Sequence, residues 1–230
     1  VILFAAAPAA AVELQVYPVR FVLEPAAPTA TMTIRNRGTD DAALQLTLYA
    51  WSQVAGQDQL DPTRDVLANP ALFLLKGGND QLARFGLRVP VVAVERSYRV
   101  IVQEVPRQRA SNGLVTLLRM SIPIFVPPEK PVTGVEWRLR TGARGVELIV
   151  RNTGNVHVQI RGLKLTAAGS PAVDKPLSVY VLPGSTVTFP FAFGRSLATG
   201  VAVALSADTD QGAFAANVRA ETAVDAPGQG

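Results

Sequence analysis

Cysteine is absent from the 230 residues, which excludes thiol catalysis, thiolate metal sites and disulfide staples. Histidine occurs once, at His157, so poly-histidine metal sites and most acid–base relays are excluded as well. Charged residues make up only 17% of the chain, against about 25% in an average globular protein. Hydrophobic residues still reach 48%, too many for bulk disorder. Helical periodicity is almost missing, and no apolar run approaches the ~20 residues that a membrane-spanning helix needs. Lysine is scarce too: 18 Arg stand beside 4 Lys, and the formal charge is +4. Arginine is the residue whose planar fork grips a carboxylate or phosphate, although coding bias alone also produces such an imbalance.

Further motifs are missing. A nucleophile triad would need His157 beside a serine and a carboxylate, but His157 sits in Asn-Val-His-Val-Gln-Ile, an alternating stretch that predicts a solvent-facing strand position. No G-x-S-x-G, G-x-x-x-x-G-K or G-x-G-x-x-G occurs. Asp58, Asp61 and Asp65 lie close together but lack EF-hand spacing and its terminal Glu, so they read as a solvated loop. Asp208 and Asp210 form a carboxylate pair without specificity. Arg84, Arg88, Arg96, Arg99, Arg107 and Arg109 crowd one region, yet strand alternation scatters them over both faces, and no nucleic-acid-reading motif accompanies them. The reading is of a non-enzyme with no metal, no cofactor, no nucleic acid and no membrane insertion.

What is present is a succession of short apolar runs punctuated by Gly, Pro, Asn and Asp. Residues 1–11, ending in Ala9-Ala10-Ala11, resemble the end of a secretory signal with an A-x-A cleavage site, which implies a mature chain from about Val12. Runs at Val12–Leu23, Thr31–Arg37, Ala43–Trp51, Ala71–Leu75, Gln81–Val89, Tyr98–Val105 and Leu114–Val126 predict about seven strands. Ser52–Pro62 reads as a polar excursion between them. Pro127-Pro128-Glu129-Lys130-Pro131 predicts a stiff hinge, because three prolines in five residues cannot serve a central strand. Seven more runs follow at Val135–Arg140, Val146–Asn152, Val156–Ala167, Leu177–Leu182, Thr186–Phe193, Val201–Ala207 and Ala213–Glu221, with a tail at 223–230. The predicted fold is all-β: two immunoglobulin-like β-sandwich domains, 12–126 and 132–222, joined by the hinge at 127–131 with a cleft between them.

One constellation stands out. Glu95-Arg96-Ser97-Tyr98-Arg99 continues to Glu104-Val105-Pro106, a polar loop follows, and Leu114–Phe125 then runs into Val126-Pro127-Pro128. This resembles the last two strands of the N-terminal domain of periplasmic pilus-assembly chaperones, the PapD-like family. Val16-Tyr17-Pro18-Val19-Arg20-Phe21 resembles that family's first strand. Asn69-Pro70 through Leu75 and Asp80 through Arg88 resemble a further segment of it. Arg151–His157 and Val181-Leu182-Pro183-Gly184 resemble its C-terminal domain.

The resemblance implies a soluble periplasmic protein that lends one of its strands to an incomplete pilus or fimbrial subunit, then delivers it to an outer-membrane usher. It implies donor-strand plugs at Leu114, Thr116 and Leu118; alternation of the strand leaves Val115 and Leu117, on the other face, as the alternative. It implies an anchor for the subunit's C-terminal carboxylate at Arg20, while the family's Lys position falls on Pro123. Hairpin arithmetic, with paired positions summing to about 220, sets Arg99 beside Ser121 and close to Pro123, so Arg99 is a candidate second fork and Arg88 a weaker one. The family pairs an acid at the Glu95 position, a domain-junction residue, with an Arg near the linker, where this chain has Val126 and Pro127. These departures resemble the divergent, archaic branch. A two-domain structural pilin or adhesin is the alternative reading. It would carry an N-terminal donor segment and lack the strand that Leu114–Val126 supplies.

Overall fold

The computed structural model describes residues 13–106, 117–142, 145–193 and 197–222. The leader, the tail, and Leu114, Val115 and Thr116 of the expected donor strand lie outside the described residues. Every regular element among the described residues is a strand, and none is a helix long and apolar enough to cross a membrane. The chain divides into two units. The first comprises the chain to Trp51, Leu60–Val91 and Arg96–Pro127; the second comprises Ser52–Gln59, Val92–Glu95 and the chain from Pro128.

Ten strands arise in the first half: β1 (Leu14–Tyr17), β2 (Phe21–Val22), β3 (Thr29–Asn36), β4 (Ala42–Val54), β5 (Gln57–Pro62), β6 (Val66–Asn69), β7 (Leu72–Leu75), β8 (Asp80–Leu87), β9 (Arg96–Glu104) and β10 (Arg119–Val126). One sheet has the order β1-β3-β8-β6; the other has β2-β10-β9-β4-β5, with β7 also on β4. Met32, Ile34 and Phe85 of the first sheet pack with Leu44, Tyr98, Val100 and Ile124 of the second in one buried cluster. Full burial of each large apolar side chain contributes about 1.5–3 kcal/mol, and this cluster holds the two sheets face to face.

The run expected as a single strand, Val12–Leu23, is two. Pro18 cannot donate to a ladder, and the chain bends at Val19–Arg20, so β1 pairs with β3 in one sheet while β2 pairs with β10 in the other. Ser52–Pro62 is also more regular than its polarity suggested. β4 continues to Val54, Ala55 and Gly56 take positive φ (50° and 75°) in a tight turn, and β5 returns fully exposed. A strand with no buried face has no apolar alternation to announce it.

The second unit contains β11 (Val135–Gly142), β12 (Gly145–Asn152), β13 (Val158–Ala167), β14 (Val173–Val181), β15 (Thr186–Phe191), β16 (Ala202–Thr209) and β17 (Gly212–Thr222). Their order is β14-β13-β16-β17-β11-β12-β15. β17 is antiparallel to β16 along its length and parallel to β11 at Ala220–Thr222, which links the two arms of the strip. Leu139, Leu148 and Val150 from one arm share a core with Ile160, Leu165, Val203 and Leu205 from the other, so the strip closes on itself. Gly154 is required here by close approach: a Cβ would stand 2.4 Å from the Val132 carbonyl oxygen.

Candidate functional site

The site is built on β10, which lies between β9 and β2. β10 pairs with β9 over its whole length, Arg119↔Gln103 to Val126↔Arg96, but with β2 only at Ile124↔Phe21 and Phe125↔Val22. Glu104 N–H donates to the Leu118 carbonyl at 2.9 Å, and Leu23 N–H donates to the Phe125 carbonyl at 2.9 Å. In an antiparallel pair a residue's N–H and C=O point to the same side. The even positions 118, 120, 122 and 124 therefore bond towards β9, and the odd positions point the other way. Among the described residues no strand pairs with β10 on that second side at Arg119–Pro123. Pro123, with no N–H to give, occupies an odd position, where β9 requires no donor from it.

Side chains alternate in the same rhythm. Ile122 and Ile124 enter the core of the first unit, and Met120 packs against it. On the other face of the sheet, Arg99 stands directly across from Pro123 on one side and Tyr49 on the other. The ladder thus runs two positions beyond the register expected from the hairpin, which had set Arg99 beside Ser121; Ser121 faces Ile101 instead. Arg20 directly precedes Phe21, the partner of Ile124, at the bend from which β2 starts. Pro123 and Arg99 thus face each other across β10 and β9, and Arg20 stands one residue ahead of β2, the strand on the other side of β10.

Trp51 supports Arg99. The Arg99 guanidinium carbon lies 3.6 Å from the centroid of the Trp51 ring, and Trp51 packs against Phe125 with centroids 6.0 Å apart. Trp51 and Phe125 are buried, Arg99 is half-buried and Arg20 is exposed. A cation–π contact at a half-buried site is worth about 1–2 kcal/mol, and it holds the guanidinium against the Trp51 face. Sequence reasoning missed Trp51. The signal that could have found it is cross-strand register, since Trp51 follows Tyr49 and Ala50, the partners of Arg99 and Tyr98.

The other expected residues fall as follows. Leu117 is exposed and Leu118 half-buried, just ahead of β10. Arg84 is exposed on β8. Asp65 is not idle loop: its Oδ2 accepts from the Tyr98 hydroxyl at 3.0 Å and pairs with Arg96 at 3.3 Å. Burial and that bond push the Tyr98 hydroxyl up to about 12. Glu95 is buried within the second unit, and His157, expected to face solvent, lies against it. The alternation does set His157 on the side away from the core, with Gln159, but that side is covered there by Glu95 and Asp210, so His157 does not reach solvent as expected. Among the described residues no group of His, Asp or Glu could hold a metal ion.

An all-β chain of this kind, in which β10 is unpaired on one side at Arg119–Pro123 among the described residues, belongs to the class built on immunoglobulin-like sandwiches. The chain belongs to the pili and flagellar-assembly chaperones: residues 13–131, just over half of it, match the PapD N-terminal domain. It is a non-enzymatic periplasmic chaperone of the chaperone–usher pathway.

Solved structures agree in fold. The chain is similar to the chaperone in the CsuC–CsuE pre-assembly complex from the archaic Csu pili of Acinetobacter baumannii. The identity is 22%, the TM-score 0.67, and the likeness covers 92% of this chain and 100% of that one. It is similar also to the E. coli chaperone DraB (21% identity, TM-score 0.59, 91% and 97% covered) and to the Pseudomonas aeruginosa chaperone CupB2 (16%, 0.59, 90% and 100%). No curated protein matches the chain by sequence.

Proposed function

We propose that the chain captures pilus or fimbrial subunits by donor-strand complementation at the open edge of β10, and delivers them to an outer-membrane usher. The observation that carries this reading is the odd-numbered edge of Arg119–Pro123, whose backbone groups pair with no strand among the described residues. An incomplete sandwich that needs a strand can take those hydrogen bonds and seat alternate side chains of the donor in its own groove. In this reading Leu118 belongs to the plug face, since its parity continues the apolar face of Ile122 and Ile124, and Leu114 and Thr116 share that parity. Arg20 and Arg99 grip the subunit's terminal carboxylate from either side of Pro123, with Arg99 in place of the lysine that the family carries at that position. Among the relatives, CsuC is held in a complex with the tip subunit CsuE, and SafB with the pilin SafA. The pilin or adhesin alternative is disfavoured because β10 completes the sheet of its own unit.

The test is recovery of bound subunits with the tagged chain from a periplasmic extract, identified by mass. Arg20→Ala and Arg99→Ala should each lower the recovery at least tenfold, because truncating one partner of a gripped charge costs about 2–5 kcal/mol and each 1.4 kcal/mol is tenfold. Undiminished recovery by folded variants would remove the anchor from these residues.

A further inference from the structure

Glu95, His157 and Asp210 come from three distant parts of the sequence and meet in the second unit. His157 Nδ1 lies 2.8 Å and 2.9 Å from the two Glu95 carboxylate oxygens, and its Nε2 lies 3.4 Å from Asp210 Oδ2. The backbone closes the same knot. His157 N–H donates to Glu95 Oε1 at 3.0 Å, Glu95 N–H donates to the Asn155 carbonyl at 2.9 Å, and Gln159 N–H donates to Asp210 Oδ1 at 2.8 Å. The side chains of Glu95, Asp210 and His157 are only 3%, 12% and 13% exposed. Tyr180 also faces the imidazole, with its ring 5.6 Å away, and Gln211 donates to the His157 carbonyl.

This geometry decides the state of the ring. A neutral imidazole has one N–H and one lone pair, so one of its nitrogens would aim a lone pair at a carboxylate; only the protonated ring donates to both. A carboxylate as buried as Glu95 also needs a cation beside it. Burial alone would weaken the hold of His157 on its proton, but the hydrogen bonds and charges of Asp210 and Glu95 outweigh burial and raise its pKa above the ordinary 6.5.

We propose that protonated His157 is the cation of a three-residue clasp that fastens the segment Val92–Glu95 within the second unit, and that losing the proton loosens it. The clasp is thus a pH-sensitive device set immediately ahead of β9. The sign follows from linkage. A group that holds its proton more tightly when folded adds stability fully below its unfolded value of 6.5, and that addition is lost as pH rises through the folded value.

His157 is the chain's one histidine, so proton NMR of the untagged protein reads its ring without assignment. The wild-type ring should titrate above 6.5, and Glu95→Gln and Asp210→Asn should each lower the midpoint. The Glu95 amide should shift with the same midpoint in wild type and stay still in His157→Arg, which cannot lose its charge. A wild-type midpoint at or below 6.5, or a Glu95 amide that ignores the titration, overturns the proposal. Both readings need only the wild-type chain.

Discussion

Asn36 ends β3 and Asn152 ends β12, both buried, and each ties three pieces of backbone together. Asn36 Nδ2 donates to the Asp40 and Leu75 carbonyls (2.7 Å and 3.3 Å), and its Oδ1 accepts from Gly38 N–H (3.0 Å). Asn152 repeats the pattern with the Val156 and Val181 carbonyls (2.8 Å each) and Gly154 N–H (2.9 Å). A shared Arg-Asn-x-Gly in the sequence marks both positions, but as turn signals only; their reach to a distant strand was not legible there. With three buried bonds at about 0.5–1.5 kcal/mol each, Asn36→Ala and Asn152→Ala should each lower the unfolding free energy by about 2–4 kcal/mol in urea titrations. Ser97 offers the opposite case, a buried hydroxyl with no hydrogen-bond partner among the described residues. Ser97→Ala should leave the urea midpoint unchanged or slightly higher, because nothing is lost except the cost of burying the hydroxyl. Tyr98 should be the tyrosine that resists ionisation longest in an alkaline ultraviolet titration, up to about pH 12. Its contribution to stability is full below the unfolded value of 10 and disappears as pH climbs through 12.

At the scale of the strand, β10 shows how a proline and a donor edge fit together. Pro123 read from sequence as the loss of half an anchor, since the family's Lys position falls on it. The parity of the ladder explains its presence, since β9 takes its bonds from the even positions. The same parity separates two substitutions. Ser121→Pro removes an N–H that only a bound strand would use, so subunit recovery should fall while the unfolding midpoint moves little. Met120→Pro removes a bond to β9 and should destabilise the first unit by at least ~1 kcal/mol. Equal effects of the two on stability would contradict the assigned parity. The apolar runs of β9 and β10 were legible because both strands bury a face. β5 was not, because neither of its faces is buried, and β6 was too short, at four residues, to show a period.

At the scale of the whole chain, the second unit was the more legible. Each of the seven strands from β11 to β17 overlaps an expected apolar run, although β14 starts four residues ahead of its run at Leu177; in β16 exposed and buried residues alternate without a break. The first unit has edges and a bend at Pro18, and the polar hairpin at Ser52–Pro62 spans both units; all of these depend on neighbours that are distant in sequence. The site divides in the same way. Arg20 was named from the resemblance and Arg99 from hairpin arithmetic two positions off the true register, whereas Trp51 beneath Arg99 and His157 beside Glu95 needed the folded chain to come into view. Residue types carry chemistry; register decides which of them meet. The central claim is that the odd edge of β10 is free in the chaperone alone and filled by its client. Amide hydrogen exchange over Leu118–Ile124 measures this directly. In the free chain, Met120 and Ile122 should exchange slowly while Arg119 and Ser121 exchange fast, and binding of a recovered subunit should slow those two. Equal protection of odd and even amides before binding, or no slowing of Arg119 and Ser121 after it, would contradict the account.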